Sequence, residues 1–278
     1  MMNALKLLNY GSYELKLKDI FSHRLDSEIL LSKVIGKRRE ELLVNLDQNI
    51  KSDEINLFKN LISRRSLREP IAYIVKEKEF WGKKYIVNKN TLIPRPETEL
   101  LVESLAKIYK EKSINILDVG TGSGCILLSL LSELKNSHGI GIDISCKAIF
   151  YAKKNANMHN IKRAKFYKRS LSEVNNQKFD LIVSNPPYIE KIKIKNLDDD
   201  IRFYEPLIAL DGGNDGLDVI KKVIYKAKKI LKVNGTLALE IGNWQYKRVS
   251  EILNKNSFRV KKKIIDYKDN VRCLIATS

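Results

Sequence analysis

The apolar positions of this chain change period twice. From the start to about Leu67 they recur at helical spacing. Ser27 to Ile35 ends at Gly36, Arg38 to Leu46 follows, and Asp53 to Ser66 sets Ile55, Phe58, Leu61 and Ile62 on one face. These segments predict a small helical bundle over residues 1–69, with Gly36 closing one helix and Asp53 capping the start of another. From Pro70 to Pro94 the pattern turns extended, and Phe80-Trp81-Gly82 and Tyr85-Ile86-Val87 flank a short turn. A β-hairpin linker over 70–94 is the expectation. Over 95–278, apolar strand patterns at 114–119, 139–143, 164–168, 179–184 and 235–241 are interleaved with helical ones at 100–108, 125–134, 147–159, 217–231 and 245–253. Residues 258–265 and 271–276 close the series as strands. Such alternation predicts an α/β, doubly wound parallel sheet, whose ligands bind at the carboxyl ends of the strands.

Three of those strand ends carry polar groups. Ile114 to Val119 runs into Gly120-Thr121-Gly122-Ser123-Gly124 and then an apolar helix. Alternate glycines let a ligand approach the backbone at a helix N-terminus, which suits a nucleotide-bearing cofactor; the spacing is G-x-G-x-G and not that of dinucleotide sites. The next strand ends in Asp143, placed either to accept from two ribose hydroxyls or only to cap the helix that follows. Phe179 to Ser184 ends in Asn185-Pro186-Pro187-Tyr188. Prolines cannot extend a ladder, so the chain leaves the sheet there, with its backbone restricted before any substrate arrives. Asn185 does not titrate, and its Oδ1 with a proline carbonyl matches the two hydrogens of a planar NH2 group, Tyr188 covering one face. These four residues leave open whether a base or a side chain carries that group, or whether the strand simply ends in a proline-rich turn. Arg95, between Pro94 and Pro96, reads as a connector first and as a fixed charge facing the site second. The long, irregular stretch from Ile189 to Gly216 follows the motif directly and reads as a substrate-side lid.

Bulk properties narrow the class. A chain of 278 residues with 44% hydrophobic content has room for one large or two ordinary domains with a real core. No apolar run reaches membrane length and the first residues lack a signal-like block, so a soluble, cytoplasmic protein is expected, without membrane association. The formal charge of +18 invites a nucleic-acid reading. Lysine, however, supplies 38 of the 51 basic residues, without aromatic interleaving, so a solvated basic surface competes with a functional one. Cys125, Cys146 and Cys273 are scattered, lack metal spacing and are expected as reduced core residues; no metal is expected. His23 has no evident partner and reads as a surface or capping residue.

Taken together, four segments resemble a known family. They are Arg24-Leu25-Asp26-Ser27-Glu28-Ile29-Leu30-Leu31, Leu92-Ile93-Pro94-Arg95-Pro96-Glu97-Thr98-Glu99, Asp118-Val119-Gly120-Thr121-Gly122-Ser123-Gly124 and Asn185-Pro186-Pro187-Tyr188. Jointly they are similar to the protein-(glutamine-N5) methyltransferases of bacterial peptide chain release factors, the PrmC/HemK family. Glu205-Pro206, the run Ala209 to Leu217, and Asp266 to Arg272 extend the likeness over nearly the whole chain. The resemblance implies a Rossmann-like class I S-adenosylmethionine-dependent methyltransferase with a seven-stranded, mostly parallel sheet over 95–278, behind a helical bundle that recognises the substrate. It implies S-adenosylmethionine as cofactor, held by Gly120, Thr121, Gly122, Ser123 and Gly124 around the methionine part, by Asp143 at the ribose, by Leu171 near the adenine and by Asn185. It assigns catalysis to Asn185, Pro186 and Tyr188, and binding of a glutamine amide to Asn185, Pro186, Pro187 and Tyr188. The implied partners are class 1 peptide chain release factors, methylated at the glutamine of their Gly-Gly-Gln motif, and direct nucleic-acid binding is not favoured. The rival is a DNA or RNA amino-methyltransferase acting at adenine N6, since such enzymes share the Asn-Pro-Pro-Tyr tetrapeptide. Two positions depart from the family: Ser170 stands where Asp is frequent, near the adenine, and Lys76 where glycine is usual.

Overall fold

The computed structural model describes residues 2–278 and divides into two compact units. The first holds the chain up to Lys76 together with Asp198–Tyr204. Its helices are α1 (Ala4–Lys16), α2 (His23–Ile35), α3 (Arg39–Val44), α4 (Ser52–Ser66) and α5 (Ile71–Val75). Leu7, Leu8, Leu30, Leu31 and Phe58 meet in a core closed to water. Gly11 is required there, because a Cβ on it would stand 2.6 Å from Phe58 Cζ and 2.7 Å from Ser27 Oγ. Arg65 is buried against two carboxylates, Asp26 at 2.7 Å and Asp200 at 2.6 Å, and the second contact holds the returning segment in this unit.

Several expectations for this region are corrected. The cap of α4 is Lys51, whose N–H is taken by Glu54 at 3.0 Å; Asp53 lies inside the first turn, where its charge suits the helix dipole. His23 does have a partner, Ser12 Oγ at 2.8 Å from Nδ1, on a helix that sequence spacing alone does not place beside it. The stretch after Pro70 is helical through Val75 and not extended: Ala72, Tyr73, Ile74 and Val75 are all buried, and Ile74 and Val75 join the core of this unit. Lys76 then takes the left-handed conformation, φ 64°, that a glycine would adopt without strain.

The second unit, Glu77–Leu197 and Glu205–Ser278, opens with a hairpin, β1 (Glu77–Phe80) and β2 (Lys83–Ile86), turning on Trp81 and Gly82 at positive φ. Then follow α6 (Pro96–Ile108), β3 (Asn115–Val119), α7 (Cys125–Glu133), β4 (His138–Asp143), α8 (Cys146–Met158), β5 (Ala164–Lys168) and β6 (Phe179–Ser184). After the short α9 (Asp199–Arg202) of the first unit come α10 (Asp218–Ile230), β7 (Leu231–Glu240), α11 (Tyr246–Lys255), β8 (Arg259–Ile265) and β9 (Val271–Thr277). The seven-stranded sheet runs β5-β4-β3-β6-β7-β9-β8, parallel from β5 to β7, with β9 antiparallel to both its neighbours. Strand order reverses between β3 and β6, and a crevice at such a reversal is where open α/β sheets bind ligands. Leu117, Val119, Ile182, Leu237 and Leu239 pack under Ile220, Val223 and Ile224 of α10 to close one face. The cysteines are not uniformly core residues: Cys273 is buried, Cys125 half-buried and Cys146 exposed at the start of α8, where an N-terminal turn faces water.

Candidate active site

A cavity of about 700 Å³ opens at the reversal point, within the second unit. Gly120 and Gly122 line it from the turn after β3, Asp143 from the end of β4, Leu171 from a short 3-10 turn after β5, and Asn185 and Pro187 from the end of β6. Thus the three polar strand ends singled out in the sequence converge on one space. Thr121, Ser123 and Gly124 do not line it; they shape the turn. Thr121 Oγ1 donates to Asp118 Oδ2 at 2.6 Å, the Ser123 carbonyl accepts from the buried Asn155 at 2.8 Å, and Gly124 caps α7 at φ 81°.

The Asp143 carboxylate and the open backbone at Gly120 suit a ribose-bearing ligand. Gly120 sits at φ 71°, and a Cβ built on it would meet nothing within 4 Å, so the cavity reaches the backbone itself. Asp143 is oriented from behind: Oδ2 accepts from Gly122 N at 3.0 Å and Oδ1 from Ser145 N at 2.8 Å, which leaves the carboxylate acceptor capacity for a hydroxyl. Burial raises its carboxyl above the ordinary range, against the backbone N–H groups of Ser145, Gly122 and Ile144. Asp118 beneath the turn is wholly buried; burial pushes its carboxyl up to about 7, and its Oδ1 has no hydrogen-bond partner among the described residues. At the Leu171 end, Ser170 is occupied as a cap: its N–H donates to Glu173 at 2.6 Å and its Oγ lies 2.9 Å from Ser172 Oγ.

Asn185 is held from one side only. Its Nδ2 donates to Thr98 Oγ1 at 3.4 Å, and no donor among the described residues engages Oδ1. Tyr188 is half-buried, with Arg272 Nη2 donating to its hydroxyl at 3.3 Å. Burial pushes the Tyr188 hydroxyl up to about 12; Glu240 adds to the rise and Arg272 opposes it. The Tyr188 backbone is wrapped closely by the segment that follows. Gln245 Nε2 donates to its carbonyl at 3.1 Å and to the Gly216 carbonyl at 2.9 Å, while a Cβ on Gly212 would stand 2.8 Å from Tyr188 Cα. The stretch 189–216 is therefore less irregular than its sequence suggests. Ile189 bridges Asp211, Gly212 N donates to the Ile189 carbonyl at 2.8 Å, and the 3-10 turn Leu207–Ala209 lines the cavity.

This chain matches the PrmC N-terminal domain family over residues 6–75 and the methyltransferase domain family over residues 110–273. It is 36% identical to a release factor glutamine methyltransferase of Geobacter sulfurreducens, over 91% of this chain and 89% of that one. It is 40% identical to one of Buchnera aphidicola subsp. Acyrthosiphon pisum, over 94% of each. The chain belongs to the release factor glutamine methyltransferase family. It is also 39% identical to a bifunctional methyltransferase of Rickettsia bellii, and it spans about half the length of such bifunctional relatives. Among solved structures, a methyltransferase from Pyrococcus furiosus shares the fold, with a TM-score of 0.54 at 19% identity over 79% of this chain and 98% of that one.

In this family member, several residues around the site lie outside the sequence-derived set. Thr98 and Glu240 stand behind Asn185, and Thr98 Oγ1 donates to Glu240 Oε2 at 2.5 Å. Arg95, read first as a connector, donates to Glu205 at 2.5 Å. Glu240 carried a usable signal, an acid closing an apolar strand, the same pattern that singled out Asp143. Thr98 and Glu205 stand within segments that carry the family resemblance, but by local pattern each looks like an ordinary helix-start or loop residue. Among the described residues no cluster of His, Cys, Asp and Glu is disposed to hold a metal ion, and no helix is long and apolar enough to cross a membrane.

Proposed function

We propose that this chain transfers a methyl group from S-adenosylmethionine to the side-chain amide nitrogen, N5, of the glutamine in the Gly-Gly-Gln motif of class 1 peptide chain release factors, in the cytoplasm. The reading rests on family membership along nearly the whole chain and, within the site, on one observation. Asn185 stands at the cavity with Nδ2 engaged and Oδ1 unengaged, an acceptor waiting for an N–H. Gly120, Gly122, Asp143 and Leu171 are the residues that would hold the cofactor, with Thr121, Ser123 and Gly124 fixing the turn. When bound, S-adenosylmethionine supplies an electrophilic methyl group on a sulfonium.

An amide nitrogen is a poor nucleophile because its lone pair is delocalised into the carbonyl, so the protein must aim and polarise it. Asn185 Oδ1 and the Pro186 carbonyl accept the two N–H bonds of the substrate amide and stabilise positive charge as it grows on nitrogen, until one of those protons is released to solvent and the neutral N-methyl amide remains. The prolines keep both acceptors in place, since neither peptide unit can relax into a helix or ladder. Tyr188 packs on the amide plane and excludes water. The helical bundle contributes recognition of the release factor. Incubation with methyl-labelled S-adenosylmethionine and, separately, a purified class 1 release factor, DNA and RNA tests the reading. Label is expected in the release factor glutamine, and label found only in nucleic acid overturns it.

A further inference from the structure

An asparagine side chain is nearly symmetric in shape, so a half-turn about its last torsion exchanges oxygen and NH2 at little steric cost. Nothing in Asn185-Pro186-Pro187-Tyr188 itself selects one orientation, yet only one presents an acceptor to a substrate NH2 group. The selection comes from behind. Thr98, in the first turn of α6, and Glu240, the last residue of β7, are both buried, at 2% and 0% exposure. Thr98 Oγ1 donates to Glu240 Oε2 at 2.5 Å, and Asn185 Nδ2 lies 3.4 Å from the same Thr98 oxygen. A hydroxyl has one hydrogen. With that hydrogen given to the carboxylate, Oγ1 can only accept, so the Asn185 group facing it must be the NH2. The reverse orientation would set two oxygens against each other with no hydrogen between them, and would offer a donor to the donors of the substrate.

The geometry points to Thr98 and Glu240 as positioning residues that lock Asn185 with Oδ1 toward the incoming amide. This deepens the function proposed above and rests on it. Neither residue lines the cavity; both act through Asn185. The relay has a direction as long as Glu240 Oε2 accepts from Thr98. Burial raises the Glu240 carboxyl, while the Thr98 hydrogen bond and the Arg272 charge hold it down. Arg95, Glu97, Tyr188, Cys125 and Cys273 also act electrostatically with it. Once Glu240 is protonated it can donate to Thr98, which then donates to Asn185 Oδ1, and the unproductive orientation becomes tolerated.

The test compares wild type with Thr98→Val, which keeps shape without the hydroxyl, Thr98→Ser, which keeps the hydroxyl, and Glu240→Gln. The measurements are kcat and KM for release factor methylation, and calorimetric S-adenosylmethionine binding as a check on folding. Thr98→Val is expected to lower kcat about 10- to 100-fold, with release factor KM and cofactor Kd within about threefold of wild type, and Thr98→Ser to recover kcat to within about threefold. Glu240→Gln is expected to lower kcat similarly and to flatten the acid limb of its pH profile. Thr98→Val with kcat within about twofold of wild type overturns the relay, as does a Thr98→Ser variant as slow as Thr98→Val. Wild-type enzyme that leaves the release factor unlabelled overturns the proposed function instead, so the two failures are distinguishable.

Discussion

Arg95 Nη2 donates to Glu205 Oε1 at 2.5 Å, joining the proline-flanked start of α6 to the segment that follows Asn185-Pro186-Pro187-Tyr188. The Glu205 side chain is 1% exposed and its second oxygen accepts from Ile93 N at 3.3 Å, whereas Arg95 is 29% exposed. Removing the cation strips charge compensation from a carboxylate that water barely reaches, which costs more than losing a surface pair. Arg95→Met is expected to lower unfolding free energy by on the order of 2 kcal/mol, and Glu205→Gln in the same chain to restore part of it. Urea unfolding of the single and double variants measures both. A single variant with an unchanged midpoint would remove the pair from the account of how this segment is held.

Asn185→Ala deletes the acceptor proposed to receive the amide while leaving Gly120, Gly122 and Asp143 untouched. Loss of one aimed, charge-stabilising partner typically costs on the order of 10²- to 10³-fold in rate. Such a fall in kcat is expected, with S-adenosylmethionine still bound in calorimetry. Turnover near that of wild type would sink the role given to Asn185.

The elements carrying these groups were legible because each strand is a short apolar run that stops abruptly at glycine, aspartate or asparagine. Gly120, Gly122, Asp143 and Asn185 stand at such stops, and parallel topology alone brings the stops together. What spacing could not reveal are pairings across long stretches of chain. Thr98 reaches Glu240 over 142 residues and Arg95 reaches Glu205 over 110, and no local pattern marks either pairing. The same limit hid the Ser12 partner of His23. At Ile71–Val75 tertiary burial won over local pattern: a five-residue helix following a proline gives too short a run to show its period.

Asp118 makes stability depend on pH with a definite sign. Its carboxyl rises to about 7 on burial, from about 3.9 in an unfolded chain, with Asp143 adding to the rise and Thr121 opposing it. Between those values the folded chain holds a proton that the unfolded chain has released. The contribution of Asp118 therefore favours folding at low pH and is lost as pH rises through about 7. Asp118→Asn stays neutral throughout, so its stability relative to wild type is expected to improve between pH 5 and pH 8. Thermal melts of both chains across that range check it, with Asp143 and Cys125 unchanged in each. A difference that stays constant with pH would place the Asp118 carboxyl outside this window.

Gly120 and Gly36 form a matched pair for separating backbone strain from ligand access. Both have positive φ, 71° and 68°, and a Cβ on either would meet nothing within 4 Å. Alanine should therefore cost each the same left-handed strain, about 1–2 kcal/mol, with no clash added. Their surroundings differ: Gly36 ends α2 in the helical unit, whereas Gly120 lines the cavity. On the proposed assignment a methyl group at 120 would occupy space the cofactor needs, and one at 36 would not. Gly120→Ala is expected to weaken S-adenosylmethionine binding by about tenfold or more, since a methyl held against a close-packed ligand is an overpacking change. Gly36→Ala should leave the calorimetric Kd within about twofold of wild type, while both variants shift the urea midpoint alike. If the two bind the cofactor equally well, the turn after β3 does not approach it, and the assignment of this cavity to S-adenosylmethionine fails.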